Sequence, residues 1–169
     1  MSNPYSDLHI KEYDGNYKFL KPVTKEEIIR IALNLQLENI KETPLLNSST
    51  DSISFLQLHQ AEREQEVFTV LFLNTRHILI SCVDMFFGTI NSAYVHPREI
   101  VKQALKLNAA SIIVAHNHPS GKAEPSSADI EMTRKISEAV NTVDIKLLDH
   151  IVIGLGESVS MAEQGLFPF

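Results

Sequence analysis

In SIIVAHNHPSG, residues 111–121, a short apolar run leads directly into a polar segment. Its first five residues are rich in β-branched side chains, which predicts a buried strand. Pro119 and Gly121 prevent regular structure further on. His116 and His118 stand two positions apart, so on an extended chain both imidazoles point to the same face, with Cβ atoms about 7 Å apart. This stretch therefore predicts a strand end that presents two histidines side by side.

Outward from this stretch, helical and strand patterns alternate along the chain. Helical periodicity and N-cap signals predict helices near 24–39, near 51–64, from Pro97 onward and from Pro125-Ser126 onward. Apolar runs predict further strands at 67–73 and 77–83, and one or two closing strands over 145–159. Residues 1–22 lack periodicity and are expected to form a loosely held arm. The predicted fold class is α+β, with helices packed on a mixed β-sheet.

Composition restricts the class of protein. With 44% hydrophobic and 21% charged residues among 169, the chain is expected to be a globular domain with its own core. The single cysteine, Cys82, excludes a disulfide framework within the chain and a cysteine-rich zinc module. There is no apolar run of about 18 residues and no basic, then apolar, leader, so we expect a cytoplasmic protein without a membrane span. A net charge of -6 disfavours DNA as a partner, because phosphate binding depends on Lys and Arg.

A third potential metal ligand follows the two histidines. Asp129 is expected on the first turn of the next helix, so His116, His118 and Asp129 would supply three zinc ligands and leave a fourth position for water. Glu66, just before the strand at 67–73, could present a carboxylate to that water, and the Ser126 hydroxyl could donate to an oxyanion. Ser126-x-x-Asp129 also fits a helix N-cap, and the two interpretations are compatible.

These residues resemble a known signature. His116-x-His118, seven residues, Ser126, two residues and Asp129 match the JAMM zinc-hydrolase motif of the JAB/MPN family. Longer strings resemble the RadC-like branch of that family, over roughly residues 50–165: HPREI (96–100), LNAASIIVAHNHPSG (107–121), EPSSADI (124–130) and LLDHIVIG (147–154).

The resemblance implies a JAB/MPN-like fold, a mixed β-sheet flanked by helices in a layout related to cytidine deaminases. It implies a RadC-like domain over 51–169, preceded by an arm and helix over 1–50 in a short form that lacks the usual N-terminal helix-hairpin-helix region. It further implies that Zn²⁺ is the cofactor and that zinc-bound water attacks a carbonyl in a metallo(iso)peptidase reaction. His116, His118 and Asp129 would be the zinc ligands. Glu66 and Ser126 would be the catalytic residues.

Other interpretations stay open at this stage. A peptide or isopeptide substrate is the expected partner, whereas the alternative is a DNA-repair or mobile-element-associated accessory protein without strong catalytic activity. A zinc deaminase is disfavoured because the H-x-E and P-C-x-x-C patterns are absent. Among the residues outside the motif, we expect His96 to cap or pack, Cys82 to lie in the core and Asn117 to shape the loop. Asp149-His150 is expected to be a buried hydrogen-bonded pair.

Overall fold

The computed structural model describes residues 10–13, 16–19, 21–32, 49–60, 63–88 and 95–167. The described elements, in chain order, are β1 (Ile10–Tyr13), β2 (Asn16–Phe19), α1 (25–32), α2 (Ser49–Gln60), β3 (Val67–Leu73), β4 (Leu79–Phe87), α3 (Pro97–Lys106), β5 (Ser111–Asn117), α4 (Ser127–Asn141), β6 (Lys146–Ile153) and β7 (Ser158–Ser160). None of the helices within these ranges has both the length and the apolar character needed to cross a membrane.

The main sheet has five strands in the order β4-β3-β5-β6-β7. β5 runs antiparallel to β3 and parallel to β6, and the remaining pairs are antiparallel. Helix α4 forms the crossover between the two parallel strands, a connection that parallel pairing requires. The predicted α+β class with a mixed sheet flanked by helices is therefore confirmed.

Two apolar clusters cover the two faces of this sheet, because alternate side chains of the central strands point to opposite sides. One cluster packs β3 and β5 against α3 and α4, and it includes Phe68, Val70, Phe72, Ile100, Val114, Ile136 and Val140. The other packs the same strands against α2, and it includes Phe55, Leu56, Leu71, Leu73, Ile113 and Ala115. Every residue of β3 and β5 is buried, which explains why both strands are recognisable as continuous apolar runs.

Several predicted boundaries differ from the structure. The strand predicted at 77–83 is β4, which begins at Leu79 and extends to Phe87. Asn74 accounts for the later start, because its Oδ1 accepts from the backbone N–H groups of Arg76 and Ile78 and closes a turn ahead of the strand. Helix α2 ends at Gln60, four residues before the predicted end. Of the helix predicted at 24–39, residues 24–32 fall within the described part of the chain, and residues 25–32 are helical.

The N-terminal arm contains regular structure that its sequence, which lacks periodicity, did not predict. β1 and β2 pair as an antiparallel hairpin, with Ile10 opposite Phe19 and Tyr13 opposite Asn16. The signal that sequence reasoning missed is the dipeptide Asp14-Gly15 between them, which is typical of two-residue hairpin turns. The proposed domain division at residue 50 stays a prediction.

A polar cluster ties α2 and the segment after it to the sheet. Asp84 of β4 accepts from Thr69 at 2.8 Å and from Arg63 at 2.6 Å, and its Oδ1 lies 2.6 Å from His59 Nε2. Burial by itself raises the pKa of Asp84, but the hydrogen bonds with His59 and Thr69 outweigh burial and lower the pKa below its ordinary value. The charged carboxylate therefore stabilises the fold.

We expect Asp84→Asn to lower the free energy of unfolding by about 1–3 kcal/mol near neutral pH, because the charged hydrogen bonds are lost. The folded-state pKa of Asp84 is depressed, so its contribution is present above the unfolded-state pKa of about 3.9 and disappears as the pH falls through the folded-state value. Urea denaturation over a pH series should show wild type and variant converging in acid. The exposed Asp144→Asn is the control, with a change within about 0.5 kcal/mol. A difference that stays constant in acid would contradict this account.

Candidate metal centre

The three predicted ligands converge at one end of the sheet. His116 is buried on β5, with its ring stacked 6.2 Å from that of Phe68. His118 follows the strand, and its backbone N–H donates to the carbonyl of Ile153 at 2.8 Å. Asp129 is on the first turn of α4. One ligand atom from each of His116, His118 and Asp129 lies within 4.8 Å of the others, so this cluster can hold a metal ion.

Ser126 fixes the carboxylate of Asp129. Ser126 is the N-cap of α4, and its Oγ accepts from the Asp129 backbone N–H at 3.2 Å. In return, the Ser126 backbone N–H and hydroxyl donate to Asp129 Oδ2 at 2.7 and 2.6 Å. The capping box predicted from the sequence therefore exists, and it orients the same side chain that would bind the metal.

The ring of His118 is oriented by the loop. Its Nδ1 lies 2.8 Å from the carbonyl oxygen of Lys122. Because a carbonyl has no proton to donate, Nδ1 carries the hydrogen, and Nε2 of the neutral ring is left with a lone pair. That Nε2 lies 2.9 Å from His116 Nε2 and 3.6 Å from Asp129 Oδ2. His116 Nε2 in turn lies 3.2 Å from Asp129 Oδ1.

The electrostatics of the cluster favour a cation. Burial by itself raises the pKa of Asp129, but hydrogen bonds with His116 and His118 outweigh it and hold the pKa well below its usual range. Asp129 raises the pKa of His118 against the effect of burial, because its carboxylate accepts a hydrogen bond from the protonated ring, and the negative charge of Glu66 acts in the same direction. An ionised carboxylate and two imidazole nitrogens facing one another form a donor set that fits a zinc ion.

Glu66 lies at the same end of the sheet as the ligands. It directly precedes β3 and is partly buried. Phe68 is the register partner of His116 in the antiparallel pair, so the start of β3, which Glu66 precedes, meets the end of β5, which His118 follows. Its backbone carbonyl accepts from the Gly88 N–H at 2.8 Å, which extends the pairing with β4. The catalytic role of Glu66 stays a prediction.

Asn117 holds the segment that carries Glu66. Its Oδ1 accepts from the backbone N–H of Val67 at 2.7 Å, while its Nδ2 donates to the carbonyls of Gln65 and Arg63 at 3.1 and 3.4 Å. Asn117 lies between the two histidines in sequence, and its amide ties the end of β5 to the start of β3. Sequence reasoning expected this side chain to shape the metal loop. The structure shows instead that it orders the neighbouring glutamate-bearing segment.

The other two residues considered from the sequence, His96 and Cys82, contribute to packing. His96 is the N-cap of α3 without a side-chain cap hydrogen bond, and its ring packs edge-on against Phe86. Cys82 is partly buried against the α2 cluster, and burial raises the pKa of its thiol to about 12, as expected of a core residue.

The predicted buried, hydrogen-bonded Asp149-His150 pair is confirmed, although the bond does not join the two side chains. Both residues are buried, but the bond between them joins the His150 backbone N–H to Asp149 Oδ1 at 2.7 Å. The Asp149 carboxylate also accepts from the Ser160 hydroxyl and the Ala162 N–H, whereas the His150 ring contacts His116 and Thr133. The two side chains serve different parts of the fold because neighbouring residues of a strand point to opposite faces.

A groove of about 620 Å³ opens beside His118. Helix α2 forms one wall and the loops that follow β5 and β6 form the other. Its lining includes the polar side chains of Arg63 and Asn117 and the exposed side chain of Leu155. The groove is therefore adjacent to the candidate metal centre and offers both polar and apolar contacts.

We expect Asn117→Asp to lower the free energy of unfolding by about 1–3 kcal/mol, because a carboxylate oxygen would replace the amide donor that faces two carbonyls. Amide hydrogen exchange at Val67 should accelerate in the variant, because repulsion between the new carboxylate and the carbonyls of Gln65 and Arg63 displaces the start of β3. The exposed Asn141→Asp makes the same chemical change at the end of α4 and should alter stability by no more than about 0.5 kcal/mol. Unchanged exchange at Val67 would contradict the role of Asn117 in holding the start of β3.

Comparison with known proteins agrees with this geometry. The family model described as the RadC-like JAB domain matches residues 46–166, which include all three potential ligands. A UPF0758 protein of Methylibium petroleiphilum is 45% identical over 155 residues, an alignment that covers 90% of this chain and 70% of that protein. The chain belongs to the RadC-like JAB domain family.

Proposed function

We propose that this protein is a zinc-dependent hydrolase of the metallo(iso)peptidase type. The observation that carries the proposal is the convergence of His116, His118 and Asp129 within 4.8 Å at the end of the sheet where β3 begins, directly after Glu66. Two histidines and one carboxylate are a donor set that zinc has in catalytic sites, in which a fourth position stays open. A bound zinc ion supplies Lewis acidity and lowers the pKa of a water in that position towards about 7.

Glu66 is the proposed general base and acid. Its carboxylate would accept the proton of the attacking water and pass it to the leaving amine. Two observations support this role: the position of Glu66 just before β3, whose start pairs with the end of β5, and the effect of its charge on the pKa of His118. Asn117 supports the role indirectly, because its amide orders the backbone on both sides of Glu66.

Ser126 is the proposed donor to the oxyanion that forms when water adds to a carbonyl. Its hydroxyl donates to Asp129 Oδ2 in the structure, so a contact with an oxyanion requires the hydroxyl to turn away from that acceptor. Asp129 would keep the hydrogen bond from the Ser126 backbone N–H at 2.7 Å during such a change. The ligand carboxylate thus stays anchored while the hydroxyl acts.

The proposed substrate is a peptide or isopeptide that lies in the groove beside His118. Extended chains need backbone hydrogen-bond partners and space for alternate side chains, and the groove provides polar groups near Asn117 and an apolar wall at Leu155. A net charge of -6 makes nucleic acid a less favourable partner, because phosphates repel an acidic surface.

The first test is the metal content of the purified chain. Elemental analysis of protein prepared without chelators should find about one zinc per chain, and His118→Ala should lose it because the loss of one of three protein ligands removes most of the affinity. His77→Asn replaces an exposed histidine outside the cluster, at a positive φ that asparagine tolerates, and should retain the metal. Wild type without metal would count against the proposal.

The second test separates Glu66 from the ligands. Glu66→Gln should retain zinc but lose activity by about 10²-fold or more, since general acid–base catalysis contributes that much. The activity is measured with a panel of fluorogenic peptides and isopeptides. Glu64→Gln, an exposed neighbour, should behave as wild type. Undiminished turnover in Glu66→Gln would overturn the assignment of Glu66 while leaving the metal centre in place.

A further inference from the structure

A line of buried side chains joins two of the potential metal ligands behind the site. His116 Nδ1 lies 2.8 Å from His150 Nε2, and His150 Nδ1 lies 2.6 Å from the hydroxyl of Thr133. That hydroxyl lies 2.6 Å from the backbone carbonyl of Asp129, one turn earlier on α4. The line therefore starts at one ligand side chain and ends on the backbone of another.

The line lies inside the protein. His150 and Thr133 have no exposed surface, and His116 is 1% exposed. The ring of Phe68 covers both imidazoles, with centroid distances of 6.2 Å to His116 and 5.6 Å to His150. Polar groups in such a position must find partners within the protein, because water is excluded from them.

The position of every proton along the line follows from its last member. The backbone carbonyl of Asp129 has no proton, so the Thr133 hydroxyl donates its one hydrogen to it. The hydroxyl oxygen can then only accept a hydrogen bond from His150. His150 Nδ1 must then donate to the Thr133 oxygen, which leaves a lone pair on Nε2 of the neutral ring. His116 Nδ1 donates to that lone pair, and the lone pair of neutral His116 is therefore on Nε2, the atom that faces Asp129 and His118.

We propose that His150 and Thr133 are positioning residues that hold His116 in the tautomer required for metal binding. This inference rests on the proposed metal centre, because the tautomer matters for function only if His116 Nε2 binds an ion. A hydrogen bond to the second nitrogen fixes both the tautomer and the ring orientation of a ligating histidine. Here the partner is a second histidine, whose own tautomer is set by a threonine on the helix that carries the third ligand.

The backbone around His150 is held independently of this line. Its N–H donates to Asp149 Oδ1, and the carboxylate of Asp149 is tied by the Ser160 hydroxyl at 2.6 Å and the Ala162 N–H at 3.0 Å. These bonds lie on the opposite side of β6 from the His150 ring. A change at Thr133 therefore leaves the position of the His150 main chain in place and acts on the ring.

The test compares Thr133→Val with Thr133→Ser in the full chain. Valine is similar in shape to threonine but removes the hydroxyl, whereas serine keeps the hydroxyl and loses a methyl group. Zinc affinity, measured by competition with a chromophoric chelator, should fall about 10-fold or more in Thr133→Val and stay close to wild type in Thr133→Ser. If Thr133→Val does not fold, Thr133→Ala, which also lacks the hydroxyl, should show the same fall in zinc affinity.

A second measurement reports the tautomer in the absence of metal. Long-range ¹⁵N–¹H correlation spectra of metal-free protein, recorded at alkaline pH, should show the His116 proton on Nδ1 in wild type and in Thr133→Ser. In Thr133→Val the proton should distribute between Nδ1 and Nε2, because His150 no longer has a fixed acceptor. Ser137→Ala, a buried position one turn further along α4, is the control and should change neither the affinity nor the tautomer.

The outcomes separate this inference from the proposed function. Tight zinc binding in Thr133→Val together with a retained Nδ1 proton would overturn the positioning role and leave the metal centre standing. Wild type that binds no zinc would overturn the proposed function, and the spectra of the metal-free proteins would still decide the tautomer. Weakened binding in Thr133→Val and Thr133→Ser alike would show a packing effect at this position and would overturn the role of the hydroxyl.

Discussion

The pairing of β5 with two neighbours of opposite direction is the constraint on which the rest of the structure depends. Because β3 runs antiparallel to β5, the start of β3 meets the end of β5, and Glu66 comes to lie at the same end of the sheet as His118. Because β6 runs parallel to β5, the chain must cross back through α4, whose first turn carries Asp129. These strand directions thus bring three separate segments of the chain to one end of the sheet.

That end of the sheet contains several buried polar side chains, among them His116, Asn117, Thr133 and His150. Each would cost free energy if its hydrogen bonds were unmade, and a chain of satisfied bonds in a low-dielectric interior is rigid. His150 and Thr133 have their partners on one face of the sheet, and Asn117 has its partners at the other. The polar interior therefore serves to order the side chains and backbone around the candidate metal centre, while the apolar clusters stabilise the fold.

The two faces of the sheet contribute different residues to the surroundings of the candidate metal centre. On the α3 and α4 side, His116 is buried beside Phe68, with His150 and Asp129 next to its ring nitrogens. On the α2 side, the Asp84 cluster and Asn117 secure the segment that leads into β3. The groove beside His118 lies between α2 and the loops that follow β5 and β6. A ligand in the groove would therefore approach the centre past His118, the more exposed of the two histidines.

The sequence by itself determined the features that depend on local spacing. The buried strand at 67–73, the strand leading to His116-x-His118 and the capping box of Ser126 and Asp129 could all be predicted, because side-chain alternation and helix-cap chemistry act within a few residues. The family resemblance further implied that His116, His118 and Asp129 are the metal ligands. The hairpin at 10–19 was also within reach of the sequence, through Asp14-Gly15, but was missed.

Tertiary structure alone decided the interactions between segments far apart in the chain. Asn117 binds a backbone segment about 50 residues earlier, and His150 meets His116 after an interval of 34 residues. No periodic pattern marks such contacts, because they depend on which strands become neighbours and on which face each side chain points. The roles of His150 and Thr133 therefore emerge only when the parallel pair and its crossover helix are in place.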